Sequence, residues 1–161
     1  MFQPPLVHDT LDVPAFKPFD TFALVALDMD RAEEDFALVD ANRAHLAGTF
    51  GPANPWPEGV DLRMNRADVA WHEVEFRCRT SFAYWITEAP RADVPLIGCL
   101  YITPSPRADD DCAVYFWLAK SEAARTEEVR AVLEDWLRDE WGFAAVAFPG
   151  RDVPWAEWKG K

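Results

Sequence analysis

The stretch Pro95–Trp141 decides the fold of this chain, and it opens with Pro95-Leu96-Ile97-Gly98-Cys99-Leu100-Tyr101-Ile102. A second apolar run, Ala113-Val114-Tyr115-Phe116-Trp117-Leu118, follows a polar turn. Both runs are short and rich in β-branched and aromatic residues, so each predicts a β-strand. Apolar residues at helical spacing then predict a long amphipathic helix. Its apolar positions are Val129, Val132, Leu133, Trp136, Leu137 and Trp141.

Four elements are predicted before this unit: a strand, a helix, a loop and a second helix. The strand is apolar on both faces, as expected where both faces are covered. Aspartate can cap the first helix, and glycine can end it. Prolines fix the backbone of the loop, which displays Trp56 where it could cover a ligand. The bounds are Phe22–Leu27 for the strand, Asp28 or Asp30 to Gly48–Gly51 for the first helix, Pro52–Gly59 for the loop, and Asn65 or Asp68 to about Thr80 for the second helix.

Two further strands, Phe82–Thr87 and Ala144–Phe148, complete the predicted order β-α-α-β-β-β-α-β. This order predicts an α/β fold with a mixed central sheet that is antiparallel across its three consecutive strands. Residues 1–20 contain four prolines and are predicted to be an extended N-terminal arm. Residues 21–161 are then expected to form a single domain.

The composition excludes several classes of protein. Half of the 161 residues are hydrophobic, which is too apolar for a disordered chain, and no apolar run is long enough to span a membrane. The net charge of −12 would repel a phosphate backbone, so no nucleic-acid partner is expected, although an amine could be favoured. No signal peptide is recognised, and three widely spaced cysteines suggest neither a disulfide nor a metal site. We therefore expect a soluble, cytoplasmic protein that has no membrane partner.

The predicted element order resembles that of the GNAT superfamily of N-acetyltransferases. The resemblance covers about residues 20–150 and includes the strand Leu96–Ile102, which is similar to the I-G-x-x-x-hydrophobic strand of the family. It implies a GNAT-like sheet in a divergent, C-terminally short chain, and acetyl transfer from acetyl-CoA to an unknown small-molecule amine or peptide. A homodimer is a further expectation.

The resemblance also indicates where acetyl-CoA would bind. In the family, a loop of the form Q/R-x-x-G-x-G/A and the following helix N-terminus hold the CoA pyrophosphate. The matching segment here, Lys120–Glu128, contains no glycine, and Thr126 is predicted to cap the helix ahead of Glu127 and Glu128. The cofactor-binding residues implied by the resemblance are Phe116, Leu118, Lys120, Ser121, Arg125 and Thr126.

Four residues are candidates for the chemistry: His72, Glu73, Glu75 and Tyr115. His72, Glu73 or Glu75 could act as the general base for the amine, although Glu73 and Glu75 lie roughly 200° apart on a helix, so at most one can point into a cleft. His72 shares a helix face with apolar residues, which also fits a hydrogen-bonded core histidine. The strand that contains Tyr115 should turn alternate aromatic side chains towards the cleft and the core. No tyrosine follows Tyr115, whereas the family often has a catalytic tyrosine near its C-terminus; Trp155 and Trp158 occupy the tail instead.

Two other functions remain open at this stage. The missing glycines are compatible with a non-catalytic module that binds a small molecule or peptide on a degenerate acyltransferase fold. The tryptophan content is compatible with an interaction subunit, because aromatic residues are enriched at protein interfaces.

Overall fold

A computed structural model of the chain describes residues 3–158 and contains one six-stranded sheet, with the strands side by side in sequence order. All neighbouring strands are antiparallel except the last pair, which is parallel. The mixed central sheet predicted from the sequence is therefore confirmed. The strands are β1 (Phe16–Pro18), β2 (Ala23–Ala26), β3 (Phe82–Thr87), β4 (Leu96–Thr103), β5 (Cys112–Leu118) and β6 (Val146–Ala147).

Helices cover both faces of the sheet. The α-helices are α1 (Ala32–Ala41), α2 (Arg43–Leu46), α3 (Leu62–Cys78) and α4 (Thr126–Trp141), and 3₁₀ segments occupy Met29–Arg31 and Lys120–Arg125. Alternate residues of β3 face opposite sides: Tyr84 packs in the same cluster as α4, and Trp85 packs with α1, α2 and α3. The predicted apolar stripe of α4 is buried apart from Val132, which is half-buried.

The N-terminal half differs from the prediction in three places. Part of the predicted arm forms β1, because Phe16–Pro18 pairs with β2. The first helix is broken between α1 and α2 at Asn42. Its backbone N–H donates to Val39 O, and its side-chain Nδ2 donates to the Leu38 carbonyl that a helical N–H would otherwise have reached. The second helix starts earlier than predicted, since the Asp61 carboxylate accepts from the Met64 N–H at 2.7 Å and caps it.

The last strand is much shorter than the predicted Ala144–Phe148, and Pro149 explains why. The parallel register pairs Cys112 with Val146 and Ala113 with Ala147. Continued by two residues, the register would require residue 149 to donate an N–H to β5. Proline has no N–H, so the β5–β6 ladder ends after these two pairs.

Within residues 3–158, no helix is both long and apolar enough to cross a membrane. Cys99 and Cys112 are buried thiols, whereas Cys78 is exposed at the end of α3.

Candidate active site

The early end of the β5–β6 ladder leaves a split in the sheet beside the C-terminal half of β5. The antiparallel pairing with β4 turns the backbone groups of Phe116 and Leu118 away from β4 and towards this split. The carbonyls of Phe116 and Leu118 are each contacted by a side chain. The Arg151 guanidinium donates to Phe116 O at 2.9 Å, and His45 Nε2 lies 3.1 Å from Leu118 O. Among the described residues, β6 pairs with neither Phe116 nor Leu118, so their N–H groups have no strand partner on this side.

A cavity of about 240 Å³ lies at the split, and we call it the split cavity. The Arg151 guanidinium lies over the Phe116 ring, 4.0 Å from its centroid, and forms one wall. The split cavity is lined by Ala47, Gly48, Thr49, Tyr115, Phe116, Pro149, Gly150, Arg151 and Trp155.

A second cavity, of about 380 Å³, lies on the other side of Tyr115, and we call it the aromatic cavity. Phe50 and Trp56 from the loop between α2 and α3 cover it, with their ring centroids 5.1 Å apart. Tyr115 lines both cavities, so a ligand group in one can approach a group in the other. The aromatic cavity is lined by Phe50, Asn54, Trp56, Asp68, His72, Tyr101, Thr103 and Tyr115.

His72 is held in its charged form at the wall of the aromatic cavity. Burial would lower its pKa, but hydrogen bonds and charge interactions with Asp68 and Glu75 outweigh burial and raise the pKa to about 9. Nδ1 lies 2.9 Å from the Glu75 carboxylate, and Nε2 lies 3.5 Å from that of Asp68. At neutral pH the imidazolium therefore already carries the proton that a general base would have to accept.

The buried carboxylate of Asp35 lies beneath the aromatic cavity and joins the elements that form it. The Asp35 carboxylate accepts from Asn65 Nδ2 at 2.7 Å and from Trp85 Nε1 at 2.9 Å. Burial raises its pKa, while these two donors oppose the rise. The network ties α1 to α3 and to the sheet and so fixes the helix that presents His72.

No model of a known protein family matches this sequence, and no curated protein matches it either. Solved structures do match. A candidate ribosomal-protein-serine acetyltransferase of Vibrio cholerae superposes with a TM-score of 0.64 at 10% identity, over 83% of this chain and 72% of the other. The ribosomal-protein-S5-alanine acetyltransferase of Vibrio fischeri gives 0.57 at 16% identity, over 79% and 68%. RimL, an L7/L12 α-N-protein acetyltransferase solved with coenzyme A, gives 0.59 at 17% identity, over 76% and 68%.

The chain has the GNAT fold. In this domain, β5, the split and α4 correspond in order to the elements that the sequence resemblance associates with acetyl-CoA. Four of the six predicted cofactor-binding residues lie in the 3₁₀ segment and at the first residue of α4, and the other two lie on β5.

The pyrophosphate end of acetyl-CoA does not fit the residues at the start of α4. Lys120–Arg125 forms a 3₁₀ helix rather than a glycine loop, and Ser121 is exposed on it. The predicted cap is wrong: Thr126 Oγ1 donates back to Ala123 O at 2.7 Å, so this side chain caps no N–H group. Arg125 points away from the split, because its guanidinium donates to the carbonyls of Thr21 and Glu88.

The remaining predicted residues separate into two groups. Glu73 pairs with Arg77 along α3 and does not line either cavity, whereas His72 and Tyr115 both line the aromatic cavity. The Tyr115 hydroxyl accepts from Trp158 Nε1 at 3.1 Å, and its ring stacks on Trp155. Burial raises the Tyr115 pKa, which keeps the hydroxyl protonated and able to donate.

Sequence reasoning did not identify several residues of the site. Asp68 lies four residues before His72, so helical spacing could have predicted this partner. Glu75 was a candidate base, and the structure shows it as the second partner of His72. The sequence carries no local signal for Arg151, which reaches Phe116 only because the chain turns back after Pro149. The other residues missed are Asp35, Asn65 and Tyr101.

Proposed function

We propose that this protein transfers an acetyl group from the thioester of acetyl-CoA to an amine. The observation that carries the proposal is the split beside β5, where the N–H groups of Phe116 and Leu118 have no strand partner and Tyr115 adjoins both cavities. The carbonyl oxygens of a thioester arm lying along this edge could accept hydrogen bonds from those N–H groups, as a neighbouring strand would. The GNAT fold supports the same arrangement.

The reaction needs a polarised carbonyl and two proton movements. The amine nitrogen donates its lone pair to the thioester carbonyl carbon, the C–N bond forms, and the C–S bond breaks with its electron pair leaving on sulfur. The nitrogen loses one proton, and the sulfur gains one. In this proposal the Phe116 N–H stabilises the carbonyl oxygen as it becomes negative, and the Tyr115 hydroxyl donates the proton to sulfur.

The aromatic cavity suits the amine. Ring faces from Trp56, Phe50 and Tyr101 attract an ammonium group, and the Asp68 carboxylate adds a negative charge at the cavity wall. Because His72 is already protonated, its role is to hold Asp68 and Glu75 in position, and Asp68 is the group that can pass the ammonium proton to solvent. The acceptor is accordingly a small molecule or a peptide that bears an accessible amine.

An activity assay tests the proposal. The protein is incubated with acetyl-CoA and phenethylamine, and free thiol and acetylated amine are measured together. Tyr115→Phe should lower kcat by at least about tenfold, because a general acid contributes roughly 10²–10⁴-fold. The matched control is Trp71→Ala, which removes an aromatic residue of α3 that is 60% exposed and should leave the rate unchanged.

The result that would overturn the proposal is the absence of acetylated product with a panel of aryl, alkyl and peptide amines at millimolar concentration. The alternative, a binding module that keeps the fold without the chemistry, would then be preferred.

A further inference from the structure

We propose that the protein recognises its acyl donor through the thioester arm and not through the nucleotide, so that an acyl-pantetheine without ADP is as good a donor as acetyl-CoA. The inference rests on the proposed function and adds the chemical class of the donor. It is carried by the backbone and the charges at the start of α4.

The start of α4 differs from an ordinary helix N-terminus, where the first N–H groups are unpaired and can bind a phosphate because no helical turn precedes them. Here a 3₁₀ helix, Lys120–Arg125, runs directly into α4. The N–H of Thr126, the first residue of α4, therefore already donates to Ala123 O, and within the 3₁₀ helix the Glu122 N–H donates to Ala119 O at 2.8 Å.

Two carboxylates add a repulsive charge at the same place. Glu127 and Glu128 occupy the first turn of α4, and both are exposed. The Glu128 carboxylate accepts from the Thr21 hydroxyl, so it is held beside the helix start rather than swinging away. A pyrophosphate placed here would meet two like charges, whose repulsion a partly exposed site screens only in part.

The nearby cations are engaged elsewhere. Arg125 is bound by the carbonyls of Thr21 and Glu88, and Arg130 lies 3.3 Å from Glu134 and 3.5 Å from Asp152. Lys120 is exposed at the far end of the 3₁₀ helix, about 12 Å from the start of α4 at roughly 2 Å per residue. Arg151 interacts electrostatically with Glu127 and offsets part of its charge, but its guanidinium is already bound to the Phe116 carbonyl and lies over the Phe116 ring.

The edge of β5, in contrast, is open to a thioester arm. The Phe116 and Leu118 N–H groups face the split, and Phe116 and Tyr115 both line the split cavity. A pantetheine chain carries two amides, which can pair with a strand edge as a peptide does. Donor recognition is therefore concentrated at β5 and absent at α4.

The test compares pantetheine with CoA as ligands, by calorimetry, and S-acetyl-pantetheine with acetyl-CoA as donors. We expect dissociation constants and kcat/KM values that agree within about tenfold. The double variant Glu127→Gln/Glu128→Gln should raise the affinity for CoA at least tenfold and leave the affinity for pantetheine unchanged. Asp9→Asn/Asp12→Asn, which removes two exposed charges in the N-terminal segment, is the charge-matched control, and thermal unfolding verifies that each variant is folded.

The outcomes separate this inference from the proposed function. CoA binding a hundredfold tighter than pantetheine overturns the inference and leaves the proposed function intact. Equal binding of both ligands without turnover of either thioester supports the inference and overturns the proposed function. Binding of neither ligand at millimolar concentration overturns both.

Discussion

His72 shows how two neighbouring carboxylates can reverse the expected role of a residue. A histidine in a cavity is an obvious candidate for a general base, but Asp68 and Glu75 hold this one as a cation. The charge then serves the fold: it joins two acids on α3 that would otherwise repel each other beside the aromatic cavity.

The raised pKa of His72 predicts a pH-dependent stability. The pKa rises from an ordinary 6.5 to about 9 on folding, so the stabilisation is complete below pH 6.5 and is lost as the pH rises through 9. Between pH 6 and pH 9.5, the free energy of unfolding of the wild type, measured in urea, should fall by up to about 3 kcal/mol more than that of His72→Gln. His8→Gln, at an exposed position, is the control.

Parallel pH profiles of the wild type and His72→Gln would contradict this assignment. At the scale of single residues, the helical spacing of His72 and its partners is visible in the sequence. The charge state is not, because it depends on how far the domain buries the three side chains.

At the scale of elements, Gly98 allows the close approach of β4 to β5. A Cβ atom built at this position would lie 2.0 Å from the Trp117 carbonyl oxygen on β5. The glycine in the I-G pattern of β4 is thus required by the close approach of β4 and β5, and it needs no role in binding.

Gly98→Ala should therefore destabilise the protein by about 1–3 kcal/mol, because a well-packed core must shift to accept the added methyl group. Urea unfolding measures the change. Thr103→Ala, at the far end of the same strand, should cost no more than about 1 kcal/mol, since it removes a single hydrogen bond. Equal losses in the two variants would refute the steric explanation.

The elements that the sequence predicted well are those with a strong periodic pattern. β3 matches its predicted bounds, and β4, β5 and α4 lie within one residue or two of theirs. β1 was missed because Phe16–Pro18 is short and flanked by prolines, and its strand conformation depends on pairing with β2. The 3₁₀ helix before α4 was not predicted, because a segment of six residues in this conformation has no periodic signature in the sequence.

At the scale of the whole molecule, the thiols report on the integrity of the core. Cys99 and Cys112 are buried, burial raises the pKa of both, and Cys78 is exposed. Among residues 3–158 all three cysteines are free.

A thiol-reactive chromogenic reagent should therefore label one cysteine quickly in the folded protein and three after denaturation without reductant. Cys78→Ser should abolish the fast phase and leave the two slow ones, which become accessible only when the core opens. A disulfide detected in the denatured, non-reduced protein would contradict the free thiols of the structure.

Pro149 has a consequence beyond the split that it creates. Sheets with long open edges recruit strands from other chains, which is a common route to amyloid and to domain swapping. Here the outer strand β1 has three residues and contains Pro18, and β6 has two residues and is followed, one residue later, by Pro149. Neither edge therefore offers a run of free N–H groups to another chain. The N–H that Pro149 lacks opens the split inside the sheet, and its absence also helps to protect the edge of the sheet against aggregation.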